Sequence, residues 1–243
     1  MRETLIKTGL FAGVVIAALA AIVLLNEPKG FGGGGDDRSA SITLSGERAT
    51  LAPQLAPFTA VTLSVPASIH VTVGADQRVE VEGDRAVLDR IEVAVDDGAL
   101  EIRPKDHLRI RKNHDLKVAI SVPALSAFTV NGAAEGKILG LTDGDFALLV
   151  NGAADLDLEG ACDSFSLTIN GAGDVDASGL RCREATATIN GAGNAEVYAQ
   201  EKVAASINGA GNIRIHGQPP QVQAGKIGFG HIEIVKDEAK TEG

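Results

Sequence analysis

Apolar and polar side chains alternate with a period of two along most of the chain beyond residue 40. The segments Val61-Thr-Leu-Ser-Val65, Ile69-His-Val-Thr-Val73, Val79-Glu-Val-Glu82, Ile91-Glu-Val-Ala-Val95, Leu100-Glu-Ile-Arg103 and Leu116-Lys-Val-Ala-Ile-Ser-Val122 all show it. A two-residue period places alternate side chains on opposite faces of an extended strand, so each segment is predicted to be a half-buried strand. Turns are expected at Gly74-Ala75-Asp76, Gly83-Asp84 and Asp96-Asp97-Gly98, with one short helical turn over 84–89. No long amphipathic helix is predicted after residue 40.

From residue 128 to 235 the alternation is organised into a repeat. Val130-Asn131-Gly132-Ala133-Ala134, Val150-Asn151-Gly152-Ala153-Ala154, Ile169-Asn170-Gly171-Ala172-Gly173, Ile189-Asn190-Gly191-Ala192-Gly193 and Ile207-Asn208-Gly209-Ala210-Gly211 are five copies of one motif. A worn sixth follows as Ile227-Gly228-Phe229-Gly230-His231-Ile232. Within a copy, Phe165, Leu167, Ile169, Gly171, Gly173, Val175 and Ala177 share one parity, while Ser166, Thr168, Asn170, Ala172, Asp174 and Asp176 share the other. The apolar side therefore keeps its parity across Asn-Gly.

Asn-Gly often closes a two-residue hairpin. Here such a hairpin would set Leu167 opposite Asp174 and mix the two faces, and a four-residue loop fails in the same way. A three-residue loop would preserve the faces, so a meander stays open as an alternative. A solenoid preserves them without any such requirement, because the chain bends at Asn-Gly and runs on. About 20 residues at ~3.3 Å each give a coil perimeter of ~65 Å, enough for a few short sides around a filled interior. The expected fold is all-β: a right-handed parallel β-helix or solenoid with coils of about 20 residues, the hand following from strand twist.

Stacking assigns roles to the outward positions. Asn131, Asn151, Asn170, Asn190 and Asn208 are expected to form a structural amide ladder, and the glycines to allow sharp corners and close coil approach. Beyond the motif, one column runs Glu135, Asp155, Asp174, Asn194, Asn212, His231 and the next Lys137, Asp157, Asp176, Glu196, Arg214, Glu233. Like charges one strand apart repel. Either water screens Asp155, Asp157, Asp174, Asp176 and Glu196, or a cation bridges them, and oxygen-rich clusters of this kind suit calcium. No other cofactor is indicated. Cys162 and Cys182 each lie seven residues before the Ile of their copy, so they fall in register on adjacent coils. Strands ~4.8 Å apart satisfy the Cα spacing of a disulfide, which is expected in an oxidising compartment, the alternative being two stacked, reduced thiols.

The first 26 residues read differently. Arg2 and Lys7 precede an uncharged apolar run over 9–25, which is expected to be a transmembrane or signal helix with its start in the cytoplasm. Two outcomes are open: an uncleaved anchor, or cleavage after Ala18-Leu19-Ala20. Residues 27–40, with Gly32-Gly33-Gly34-Gly35, form a linker, and 41–243 form the solenoid domain. The domain is thus expected either to be held at an inner membrane facing the periplasm or to be exported to the cell envelope.

The formal net charge of −10 opposes non-specific nucleic-acid binding. One segment departs from that balance. Arg103, Lys105, Arg109, Arg111, Lys112 and Lys117 cluster within 103–117 and are candidates for contact with anionic lipid or envelope polysaccharide. The alternative is a solvated strand edge whose charges oppose aggregation. Nothing singles out a catalytic pair among the repeated acids, the five histidines form no metal-ligand spacing, and the chain has no Trp and one Tyr with which to line a sugar cleft. No catalytic residue is assigned and no enzyme activity is expected.

The repeated Ile/Val-Asn-Gly-Ala-Gly/Ala blocks, preceded by Gly98-Ala-Leu-Glu-Ile102 and Val118-Ala-Ile-Ser-Val-Pro123 and followed by Ile215-His-Gly-Gln-Pro-Pro220, resemble the family called "putative auto-transporter adhesin, head GIN domain" over roughly residues 57–235. The resemblance implies an exported bacterial β-solenoid, with adhesion as the role its label suggests and no catalytic residue to carry over. The expected function is therefore a non-enzymatic structural or adhesive envelope protein. An envelope-sensing module that binds anionic polymers or lipids is the alternative, and a polysaccharide-acting enzyme a third.

Overall fold

The computed structural model of the chain describes residues 42, 44–105, 115–142 and 144–235. The expected N-terminal helix and linker, and Arg109, Arg111 and Lys112, lie outside the described residues. Among those described, the only helix is α1 (Arg85–Leu88), one turn placed where 84–89 predicts it. None of the described helices is long and apolar enough to cross a membrane. Everything else regular is strand.

The repeat folds as a parallel stack. β8 (Ala127–Val130) pairs in parallel with β10 (Asp145–Val150), and β10 with the end of β11 (Ala153–Ile169). β11 then pairs with β12 (Ala172–Ile189), β12 with β13 (Ala192–His216) and β13 with β14 (Gln221–Ile234), all in parallel. Register aligns the motif copies: Val130 with Val150, Val150 with Ile169, Ile169 with Ile189 and Ile189 with Ile207. A hairpin at Asn-Gly would pair these segments antiparallel, so the solenoid is the architecture and the meander is not.

The parity read from the sequence decides what is buried. Phe165, Leu167, Ile169, Val175 and Ala177 are enclosed, as are Val203, Ala205, Ile207, Ile213 and Ile215. The larger interior residues lie early in the repeat, where the rings of Phe146 and Phe165 stack with centroids 6.0 Å apart and planes 6° from parallel. At the corners the residue after the motif asparagine must be glycine for steric reasons. A Cβ on Gly191 would lie 2.1 Å from the carbonyl oxygen of Gly171 on the adjacent coil.

The order of rungs does not follow the order of the chain. β2 (Ala60–Leu63) lies between β8 and β6 (Ala99–Pro104), parallel to both. β3 (Ala67–Val73) likewise lies between β9 (Ala133–Leu141) and β7 (Lys117–Val122). β6 and β7 therefore supply a rung outside β2 and β3, and the chain returns past it to begin the repeat on the other side.

Beyond that outer rung parallel stacking ends. β4 (Arg78–Asp84) runs antiparallel to β7, β1 (Arg48–Leu51) antiparallel to β4, and β5 (Ile91–Asp96) antiparallel to β6. Gly83-Asp84 is not a free turn but the end of β4. Asp84 caps α1 by accepting from the Ala86 amide at 2.9 Å, and it also accepts from the amides of Ser45 at 3.0 Å and Gly46 at 2.7 Å. One end of the solenoid is thus closed by short antiparallel strands. The other end is β14, whose side chains are mostly exposed.

Candidate functional site

Because every rung bends at the same place, the outward positions line up in rows along the stack. The first row is the amide ladder. Asn151 Nδ2 donates to Asn131 Oδ1 at 2.9 Å, Asn170 to Asn151 at 2.9 Å, Asn190 to Asn170 at 2.9 Å and Asn208 to Asn190 at 3.0 Å. Their backbone amides meanwhile donate to the carbonyl oxygens of the rung before, Asn170 to Val150 and Asn190 to Ile169, each at 2.7 Å. The ladder begins one rung earlier than the motif: Asn131 Nδ2 reaches Ser64 Oγ at 3.5 Å, and the Asn131 amide bonds Leu63 O at 2.8 Å. The alternating Leu63-Ser64-Val65 would have supplied that signal, had its Ser been aligned with the asparagines.

The next row brings together the predicted neighbours: Glu135, Asp155 and Asp174 are register partners in succession, and Asp174 pairs with Asn194. Here a second, shorter amide chain appears. Asn194 Nδ2 donates to Asp174 Oδ1 at 2.7 Å, and Asn212 Nδ2 donates to Asn194 Oδ1 at 2.9 Å. The third row aligns Lys137, Asp157, Asp176 and Glu196. Its repulsion is relieved by the protein's own cations at the two ends. Lys137 Nζ lies 3.1 Å from Asp157, whose carboxylate holds the Lys137 ammonium above its usual range. Arg214 sits between two acids, 2.6 Å from Glu196 and 3.0 Å from Glu233, and both raise its guanidinium further. His216 Nε2 makes a 2.9 Å contact with the other oxygen of Glu196. In the middle, Asp176 accepts from the Ser178 amide at 2.9 Å.

Asp155, Asp157, Asp174, Asp176 and Glu196, the acids considered for calcium, thus lie along one open trough with Asn194, Asn212 and Arg214. A strand face spreads carboxylates in flat rows instead of turning them inward around a point. Among the described residues no group of three or more His, Cys, Asp or Glu is arranged to hold a metal ion.

Cys162 and Cys182 are register partners on adjacent coils, with Cα atoms 4.5 Å apart and the sulfurs bonded at 1.94 Å. Of the basic segment, Arg103 is engaged with Glu92 at 3.0 Å and Glu101 at 3.5 Å. Lys105 Nζ donates to the Asp89 carbonyl at 3.0 Å, and Lys117 is exposed at the start of β7. In the described part of this segment two of the three cations, Arg103 and Lys105, are engaged by neighbouring groups.

A continuous parallel stack with outward rows and a sealed aliphatic interior defines a β-solenoid. Residues 57–219, more than half of the chain, match the family described as "Putative auto-transporter adhesin, head GIN domain", and the chain belongs to that family. Among solved structures, one titled a putative adhesin from Bacteroides fragilis is 22% identical, covers 80% of this chain and 100% of its own, and superposes with a TM-score of 0.65. Another so titled, from Parabacteroides merdae, is 18% identical over 79% of this chain and 98% of its own, at a TM-score of 0.49. No protein of curated function matches the chain. At 22% identity the likeness to the Bacteroides fragilis structure speaks to the fold.

Proposed function

We propose that the protein is a non-enzymatic surface of the cell envelope, a right-handed β-solenoid that is exported, tethered to a membrane through residues 9–25, and used as an adhesive or structural scaffold. The observation that carries this reading is the regularity of the outward rows. From Asn131 to Asn208 each outward amide is bonded to the next, and in the adjacent rows Asp157 is paired with Lys137, Glu196 with Arg214 and Asp174 with Asn194. A repeating face of amides and acids offers many weak, equivalent contacts, which suits adhesion to a polymer by multivalency. It offers no isolated carboxyl pair with separated environments of the sort acid–base catalysis needs. Membership of a family named for adhesion supports the same reading.

The experiment is retention of purified envelope polysaccharide on beads carrying the full chain in detergent, with the polymer length measured before and after. The reading expects retention that falls when Asn151, Asp155, Asp174 and Asn194 are replaced together by Lys, and polymer of unchanged length. Shortened polymer, or retention indifferent to that replacement, contradicts it.

A further inference from the structure

The open end of the solenoid carries the largest apolar exposure among the described residues. Phe229 is 86% exposed and Ile227 77%, side by side on the outward parity of β14, while Val222 and Ile234 on its inward parity are also exposed. β14 uses one edge to pair with β13, and its other edge has no strand partner among the described residues. An exposed, apolar 14-residue edge is a template for another strand.

We propose that β14 pairs with β14 of a second copy of this chain, antiparallel, about a two-fold axis through Gly228. The sequence of the strand is self-complementary in that register. Joining antiparallel strands about a two-fold requires that inward residues meet inward residues, which fixes the axis on a residue and not between two. With Gly228 on the axis, Val222 meets Ile234 and Ala224 meets Ile232 on the inward parity, extending the aliphatic columns of both copies. On the outward parity Ile227 meets Phe229, twice. Gln223 meets Glu233, and the axis passes a residue with no side chain to clash. A register centred on Phe229 would instead set Ile227 against His231, and one centred on Ile227 would set Phe229 against Gly225.

The shape of the rung agrees. The corner shared with Asn208-Gly209 falls at Ile227-Gly228. A two-fold through that corner carries one arm of the bent strand onto the other arm of the second copy. Stacking head to tail is disfavoured, because the opposite end of the solenoid presents the short antiparallel strands β1 and β5 at its edges. An isologous contact that uses the only long open edge among the described residues closes on itself, so association stops at two. Lys226 sets the strength. It occupies an inward position, and its ammonium donates to the Gly230 carbonyl at 2.8 Å. Covering that charge has a desolvation cost, which keeps the pairing reversible.

The test uses the full chain in detergent micelles with single cysteines introduced at Gln223 in one preparation and Glu233 in another. Mixed and oxidised, the two should give a covalent dimer, whereas each preparation alone should not, because neither position faces itself. Phe229→Asp, checked for unchanged circular dichroism, should lower the yield at least about ten-fold, the scale of one lost anchor side chain. No cross-link in the mixture, equal cross-linking of either preparation alone, or a yield indifferent to Phe229→Asp would overturn the proposal. So would Phe229-dependent recruitment to phosphatidylglycerol vesicles without cross-linking, which would assign the patch to a lipid surface.

Discussion

Lys226 stands directly above Ile207 in the inward column that Val130, Val150, Ile169 and Ile189 begin. A column of aliphatic side chains that ended in another would leave a dry, sticky end. A long amine there lays its methylenes over the last rung and turns its charge to a backbone carbonyl. Lys226→Ile should leave the unfolding midpoint nearly unchanged, since an exposed position moves stability by about 0.5 kcal/mol or less. Light scattering should show it self-associating at lower concentration than wild type; unchanged scattering would mean the lysine does not guard that end.

The asparagine ladder makes a graded prediction. Asn170 both donates to Asn151 and accepts from Asn190, whereas Asn208 donates to Asn190 and faces Ile227 on the next rung. At about 1 kcal/mol per hydrogen bond, Asn170→Ala should cost about 2 kcal/mol and Asn208→Ala about half that. Urea unfolding followed by circular dichroism measures both. Equal costs would show that the amides act singly and not as a chain.

The glycines of the repeat should divide into essential ones at the corners and indifferent ones elsewhere. Gly191→Ala forces a Cβ against Gly171 O, so it should destabilise at or beyond the top of the about 1–3 kcal/mol range of overpacking. Gly225→Ala meets nothing within 4 Å and should be neutral. Thermal unfolding of the two variants side by side distinguishes close approach of the coils from a general demand for flexible backbone.

Acid should loosen the capped end first. Asp84 is held below the usual carboxylate range by the amide of Ser45, Glu47 by the Arg85 guanidinium and Asp115 by that of Arg48. A depressed folded pKa contributes stability that is complete above the unfolded value, near 4 for Asp and Glu, and is lost as pH falls through the folded one. Amide exchange in β1 and β4 should therefore accelerate below about pH 4, while exchange in β12 stays slow. Asp84→Asn should flatten the part of that dependence due to Asp84; a pH profile shared equally by β1 and β12 would locate the acid sensitivity elsewhere.

The features most legible in the sequence are those set by parity. The inward set Phe165, Leu167, Ile169, Val175 and Ala177, the stacking of the five asparagines and the alignment of Asp157 with Asp176 and Glu196 all follow once a two-residue period is combined with a repeat. The swapped order of the early rungs is not legible, because Val61-Thr-Leu and Leu100-Glu-Ile bear the same alternation and neither says which strand it lies beside. The relief of the acidic rows was half visible. Lys137 and Arg214 stand in the same column, but only the geometry shows them reaching Asp157 and Glu196, and shows Asn194 and Asn212 bonding onward from Asp174. Lys226 reads as an ordinary surface lysine until the register with Ile207 turns it inward.

The stacking of successive copies as parallel rungs is tested most directly by methyl NOEs in the labelled protein. Leu167 faces Ala187, and Ile169 faces Ile189, across adjacent coils. The account predicts strong cross-peaks between the methyls of each pair and none between Leu167 and Asp174. Contacts of Leu167 with Asp174 or Val175 in place of those with Ala187 would mean that the chain turns back at Asn170-Gly171, and would contradict the solenoid.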